Sequence, residues 1–451
     1  MTFINILLGL IGLGIVVFFH ELGHFLAARL VGINVDAFSI GWGKPILKKK
    51  VGLTEYRLGM FPIGGYCKMQ GESDYSSQAY ENLSKGIKPQ KGDYLASTPA
   101  QRILVSFAGP FFNLIFAIFL FSIIWGVGFD VTTAGNKIIL ASELIPEQTF
   151  PADASGLKTG DRIIKINKQQ VNYFYEINEN IALNPKKNLQ LTVDRDGEIL
   201  LLNVVPSLEK NGAGRIGVFY WIEPVIESVV DDSPAFIAGL RAGDKIISAN
   251  GIPVRNSEEF RKIRSQNPEK LIVEYERYGT KSVVEFDNLE ENNELGFSWE
   301  IIRFRTPRLS IPMAIATGVK EGYKILTRSI LSLRVLFMGI DLTEAVSGPV
   351  RITYMMGDVA TQGFGQGVER GFNLIFNFLA LISIALCVMN LLPLPILDGG
   401  MMILFLVEMI RKKPIPPKAI GIFQTCGIVI IICLMALALF GDIMFFARGL
   451  N

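Results

Sequence analysis

Four stretches of the chain, roughly residues 4–32, 103–127, 371–394 and 419–446, are almost continuously apolar. Each approaches or exceeds the ~20 residues that a helix needs to cross a bilayer. A chain built this way cannot bury all four runs in one water-soluble core. Only 19% of its 451 residues are charged and half are hydrophobic, a balance shifted away from soluble proteins of this length. The expected fold is a multi-pass α-helical membrane protein with four transmembrane helices. The first run has no Lys or Arg before Arg29 and no small-x-small cleavage site, so it reads as a retained span, not a removed signal peptide.

Charge sets the expected topology. Segment 33–102 carries ten Lys and Arg, including Lys48-Lys49-Lys50, and the short loop 395–418 adds Arg411, Lys412, Lys413 and Lys418. Short basic loops stay cytoplasmic, whereas long domains cross regardless of charge. Both termini and segment 128–370 are thus expected outside the cytoplasm. A net charge of +2 without a basic stripe argues against nucleic acid as a partner. Cys67 reads as a loop residue. Cys387 falls in the third run, and Cys426 and Cys433 in the fourth. The last two sit about 10 Å apart along a helix and cannot bridge each other.

The only two histidines, His20 and His24, both fall in His20-Glu21-Leu22-Gly23-His24 inside the first run. Residues four apart share a helix face, so both imidazoles can address one metal, with Glu21 on the adjoining edge. Imidazole donors suit Zn²⁺ better than a hard, oxygen-seeking cation. The plain alternative is a polar cluster packed in a bundle core, but ionisable groups at membrane depth are costly and signal function by default. A catalytic zinc usually takes three protein ligands. The best third donor is Asp398, in Asn390-Leu391-Leu392-Pro393-Leu394-Pro395-Ile396-Leu397-Asp398-Gly399-Gly400. Pro393 and Pro395 end the third helix and let the chain turn the carboxylate back toward the first. A simple turn residue ahead of two glycines is the competing reading of Asp398.

HExxH in the first span together with NxxPxPxxDG after the third resembles the site-2 proteases, intramembrane zinc metalloproteases. Phe107-Ala108-Gly109-Pro110 with Asn113, and Ser347-Gly348-Pro349, extend the resemblance over essentially the whole chain, toward the bacterial members with two PDZ domains. The resemblance implies one Zn²⁺ per chain held by His20, His24 and Asp398. It also implies Glu21 as the base that takes a proton from the attacking water and returns it to the leaving amine. It places the protein in the bacterial inner membrane, with the active site near the cytoplasmic side. As partners it implies single-span membrane substrates such as anti-sigma factors and remnant signal peptides. Ala385 departs from the family, where an Asn often stands.

A substrate helix hides its peptide bonds in its own hydrogen bonds, so a protease of this kind must offer replacements. Tyr56–Met69, with Gly64, Gly65 and Tyr66, resembles the family's membrane-associated β-hairpin, whose edge would hold substrate as an added strand. An interfacial hairpin without substrate contact is the alternative. Asn390, Pro393 and Pro395 are further candidates for substrate binding, Asn390 either donating to the substrate backbone or tying down the broken helix.

Gly156-Leu157-Lys158-Thr159-Gly160-Asp161 recurs at an offset of 83 residues as Gly239-Leu240-Arg241-Ala242-Gly243-Asp244, each followed by an apolar strand pattern. Two PDZ-like α/β domains are expected, with peptide-end loops at Arg215-Ile216-Gly217-Val218 and Glu294-Leu295-Gly296-Phe297. They would act either as receptors for peptide ends or as a size filter over the site. Residues 311–337 carry large apolar side chains at Ile315, Val319, Tyr323, Leu326, Ile330, Leu333 and Phe337, which reads as an interfacial helix. The expected divisions are 1–127, 128–221, 222–305, 306–370 and 371–451. Two other functions compete: a membrane-anchored zinc peptidase for soluble peptides, and a PDZ scaffold with a structural metal.

Overall fold

In the computed structural model, residues 3–71, 89–145, 147–209, 212–266, 270–287, 295–333 and 348–448 are described. They divide into two compact units, one made of residues 1–129 with 306–451 and the other of residues 130–305.

The first unit is helical. Helix α1 (Phe3–Leu30) leads into strands β1 (Val35–Val51) and β2 (Thr54–Met69), then α2 (Pro99–Val127). After the second unit come α3 (Ile311–Leu333), α4 (Pro349–Gly365), α5 (Val368–Asn390), α6 (Asp398–Arg411) and α7 (Pro417–Arg448). Among the described residues four helical stretches are long and apolar enough to cross a membrane: Asn5–Leu30, Pro99–Val127, Val368–Asn390 and Lys418–Phe445. The third ends at Asn390, ahead of Pro393, which has no N–H to extend the ladder. Thr98 starts α2 with a capping box, its hydroxyl accepting from the Gln101 N–H while the Gln101 side chain accepts from the Thr98 N–H.

Helix α3 packs along α2 through its small residues. Ala314 lies against Gly126, Gly318 against Ser122, and Gly322 against Ile118, so α3 runs antiparallel along α2. The buried stripe is Ala314, Gly318 and Gly322, while Ile315, Val319, Tyr323 and Ile330 remain exposed. Small residues let two helix backbones approach closely, a packing that a search for large apolar side chains overlooks. Phe337 and Ser347 lie outside the described residues.

The β1–β2 hairpin folds back on itself. Residues 35–40 pair with 65–69 on one side and with 55–58 on the other, and 55–58 pair in turn with 47–50. Tyr56–Leu58 is therefore interior, 47–50 forms one outer strand, and Gly65–Met69, within the expected hairpin stretch 56–69, forms the other edge. Cys67 is a buried strand residue of that edge, not a loop residue.

The second unit contains two four-stranded antiparallel sheets of one strand order. In the first, Arg162–Ile166 lies between Gln169–Gln170 and Leu189–Arg195, with Glu198–Val204 outermost. Lys245–Ala249, Ile252–Pro253, Lys270–Arg277 and Thr280–Asp287 repeat the arrangement. The repeated Asp is the shared lynchpin. Asp161 and Asp244 are buried. Each accepts from the backbone N–H three residues earlier (2.8 Å at both) and from one arginine, Arg195 at 2.7 Å or Arg277 at 2.6 Å. The same arginines reach back to the Gly156 and Gly239 carbonyls, both at 2.8 Å. These hydrogen bonds hold both guanidinium pKa values above their ordinary position.

Candidate metal centre

Helix α1 carries His20 and His24 on one face near its C-terminal end, as a spacing of four demands. Asp398 arrives from the first turn of α6. Between α5 and α6 the chain makes a tight turn, and Ile396 sits in it at φ +78°, a left-handed conformation that a β-branched residue adopts only under strain. Gly399 and Gly400 complete it, since a Cβ on either would run into the Leu391 or Leu394 carbonyl. Glycine here lets α6 start hard against the turn, which aims the Asp398 carboxylate at α1. Helix α6 is fixed from its other end by a buried ion pair, Arg102 donating to Glu408 at 2.8 and 3.3 Å.

The three side chains converge. His20 Nε2 is 3.3 Å from Asp398 Oδ2, His24 Nε2 is 3.5 Å from Asp398 Oδ1, and the two Nε2 atoms are 3.2 Å apart. One donor atom from each lies within 4.8 Å of the others, and among the described residues this is the cluster able to hold a metal ion. Their side chains are only 11–19% exposed. Two imidazole nitrogens and a carboxylate, aimed inward and largely removed from water, form a set that can hold a cation. The donor set fits zinc, and three ligands leave a position open for substrate chemistry.

Helix α2 forms the floor of the site, which is where reading the sequence fell short. The Val105 carbonyl accepts from His24 Nδ1 at 2.8 Å, one residue before the Ser106 carbonyl that Pro110 cannot pair. Gly109 lies directly beneath the imidazoles, where a Cβ would overlap His24 Nε2 and approach His20 Cε1. Asn113 follows, its Nδ2 3.3 Å from His20 Nδ1. Val105, Gly109 and Asn113 are spaced by four, so they line one face of α2, and that periodicity was the available signal.

A model of peptidase family M50 matches residues 8–434. The chain belongs to peptidase family M50, the site-2 proteases. Relatives with the name "putative zinc metalloprotease" include one of Treponema pallidum, 32% identical over 98% of this chain and 99% of its own. Another, of Borreliella burgdorferi, is 30% identical over 97% and 98%. The regulator of sigma-E protease RseP of Escherichia coli is 28% identical over 96% of this chain and 97% of its own.

The remaining candidates of this M50 peptidase fall into two groups. Gly65 comes to the site: a Cβ there would contact the Glu21 Cγ and press on the Ser39 carbonyl. Gly64 turns the strand at φ +78° against the Trp42 indole, and the Tyr66 hydroxyl accepts from Arg57 at 3.0 Å. Asn390 ends α5, Pro393 is exposed in the turn, and Pro395 packs where Gly427 of α7 leaves room for it. Ala385 is exposed on α5. In the second unit, the Ile216, Gly217 and Leu295 carbonyls accept from Ala152, Ala141 and Ala235, while Glu294 lies outside the described residues.

Proposed function

We propose that the chain is a zinc metalloprotease that cuts single-span membrane substrates in or beside the bilayer, with one Zn²⁺ held by His20, His24 and Asp398. The convergence of these three inward-facing donors carries the reading, and the names of the relatives support it. Bound zinc supplies a Lewis acid and makes water nucleophilic near neutral pH. Glu21, next to His20 on α1 and facing the Gly65 segment, takes the proton of the attacking water and delivers it to the leaving amine. Gly65, at the head of the Gly65–Met69 edge strand, stands next to Glu21. An unwound substrate segment adds there as a strand, which presents its peptide bond to the site. Asn390 then serves the substrate backbone, and Pro393 and Pro395 shape the turn that carries Asp398.

The inner membrane is the location that four apolar helices and the kinship with RseP support. The basic content of 33–102 and 395–418 favours an orientation with both termini and residues 130–305 outside the cytoplasm. The two sheets of equal strand order are read as PDZ-like domains that select substrates. Anti-sigma factors and remnant signal peptides are the substrate classes proposed. The depth of the cluster within the first apolar helix disfavours a peptidase for soluble peptides.

The test is cleavage of a truncated single-span substrate by reconstituted wild-type and Glu21→Gln protein, with zinc measured in both. Zinc is expected equal in the two, with turnover reduced about 10²–10⁴-fold in the variant, the range of general acid–base catalysis. Normal cleavage by Glu21→Gln would remove Glu21 as the base, and zinc in neither protein would sink the metal reading.

A further inference from the structure

The two histidines of the site are held differently at their outer nitrogens. His24 Nδ1 meets the Val105 carbonyl at 2.8 Å. A carbonyl only accepts, so His24 carries its proton on Nδ1 and leaves the Nε2 lone pair facing Asp398 and His20. His20 also turns Nε2 inward, toward Asp398 and His24, and must likewise carry its proton on Nδ1 if Nε2 is to hold a cation. Its Nδ1–H then needs an acceptor. What stands 3.3 Å away is the Nδ2 of Asn113, which only donates.

Asn113 is wholly buried, and its Oδ1 has no hydrogen-bond partner among the described residues. A buried amide oxygen without a donor and a donor facing a donor are two faults in one side chain. A half-turn of the amide about χ2 gives the oxygen a donor and removes the donor–donor contact, with the NH2 taking the place Oδ1 had held. We infer that the Asn113 amide oxygen accepts the hydrogen bond of His20 Nδ1–H and fixes His20 in the tautomer that offers Nε2 to the metal. Asn113 is then a positioning residue, doing from a side chain for His20 what the Val105 backbone does for His24. Ser383 of α5 donates to the Asn113 backbone carbonyl at 2.8 Å, a contact with the backbone and not with the amide.

The inference rests on the proposed role of His20 as a metal ligand, so the experiment separates the two. Zn²⁺ affinity is measured on the full chain in detergent micelles, by competition with a chromophoric chelator, for wild type and for Asn113→Leu, Asn113→Asp and Ser383→Ala. Asn113→Leu removes the acceptor at similar volume and is expected to weaken zinc about 10–100-fold, the usual effect of losing a partner behind a metal-bound histidine. Asn113→Asp keeps an acceptor and should stay within a few-fold of wild type. Ser383→Ala leaves the amide in place and should not change affinity. If the leucine form does not fold, Asn113→Ala tests the same loss without added bulk. Wild-type affinity in Asn113→Leu or Asn113→Ala, or an Asn113→Asp protein as weak as these, would overturn the inference and leave the metal reading standing. A wild type that binds no zinc would overturn both.

Discussion

Asp161 and Asp244 of the second unit and Asp398 of the first are all largely removed from water, and they are held in opposite ways. Asp161 and Asp244 in the second unit are closed off by donors from their own repeat: a nearby backbone N–H and an arginine fewer than 40 residues along the chain. Nothing further is asked of them. Asp398 in the first unit faces the Nε2 atoms of two imidazoles, drawn from a helix more than 370 positions away in sequence. A carboxylate satisfied by its own repeat is part of a fold. Convergent side chains assembled from distant segments, with strain at Ile396 beside them, mark a place where a cation belongs.

The largest break in that contrast comes from Asp398→Ala. Removing one of the three proposed ligands should strip zinc at ordinary concentrations and drop cleavage by at least about a hundredfold, while circular dichroism and gel filtration stay those of the wild type. Retained zinc with full activity would mean that another residue supplies the third donor.

Gly109→Ala sharpens the comparison with a smaller step. The added methyl would enter the space of the two imidazoles, and packed side chains can yield by only tenths of an ångström without cost. Metal affinity is expected to fall about tenfold, through displaced rings, and the apo protein should keep its thermal stability within about 1–3 kcal/mol. An unchanged zinc affinity would show that the α1–α2 crossing has slack.

How far the sequence exposed these features follows the same division. The histidines and Asp398 were legible because their chemistry is written in side chains at diagnostic spacings, and the repeat because two segments share a pattern. The Asp161 and Asp244 clasps were visible only as repeated letters, since their arginine partners lie on strands whose pairing no local pattern dictates. Which part of the 56–69 stretch lies at an edge was not legible because one strand can change partners along its length, as Tyr56–Leu58 does between 35–40 and 47–50. The packing of α3 on α2 was not legible because Ala314, Gly318 and Gly322 pack by being small. The half of the site contributed by α2 is backbone, absence of a Cβ, and one amide, which no search for reactive side chains registers.

The smallest expected effect on catalysis, and the most direct probe of the contrast, is Asp244→Ala. Breaking a buried ion pair strands the other charge and costs about 3–5 kcal/mol; Arg277 is a quarter exposed, so water recovers part of it and the lower end applies. The second repeat should therefore become protease-sensitive at temperatures where Asp161's repeat is still resistant, as limited proteolysis of the full chain would register. Zinc content, and cleavage of a substrate already trimmed outside the membrane, should stay within about twofold, because no ligand of the proposed centre comes from residues 130–305. If Asp244→Ala instead released zinc, the centre would depend on the second unit for its geometry, and the division between a carboxylate that builds a fold and one that waits for a metal would have to be redrawn as a single coupled system.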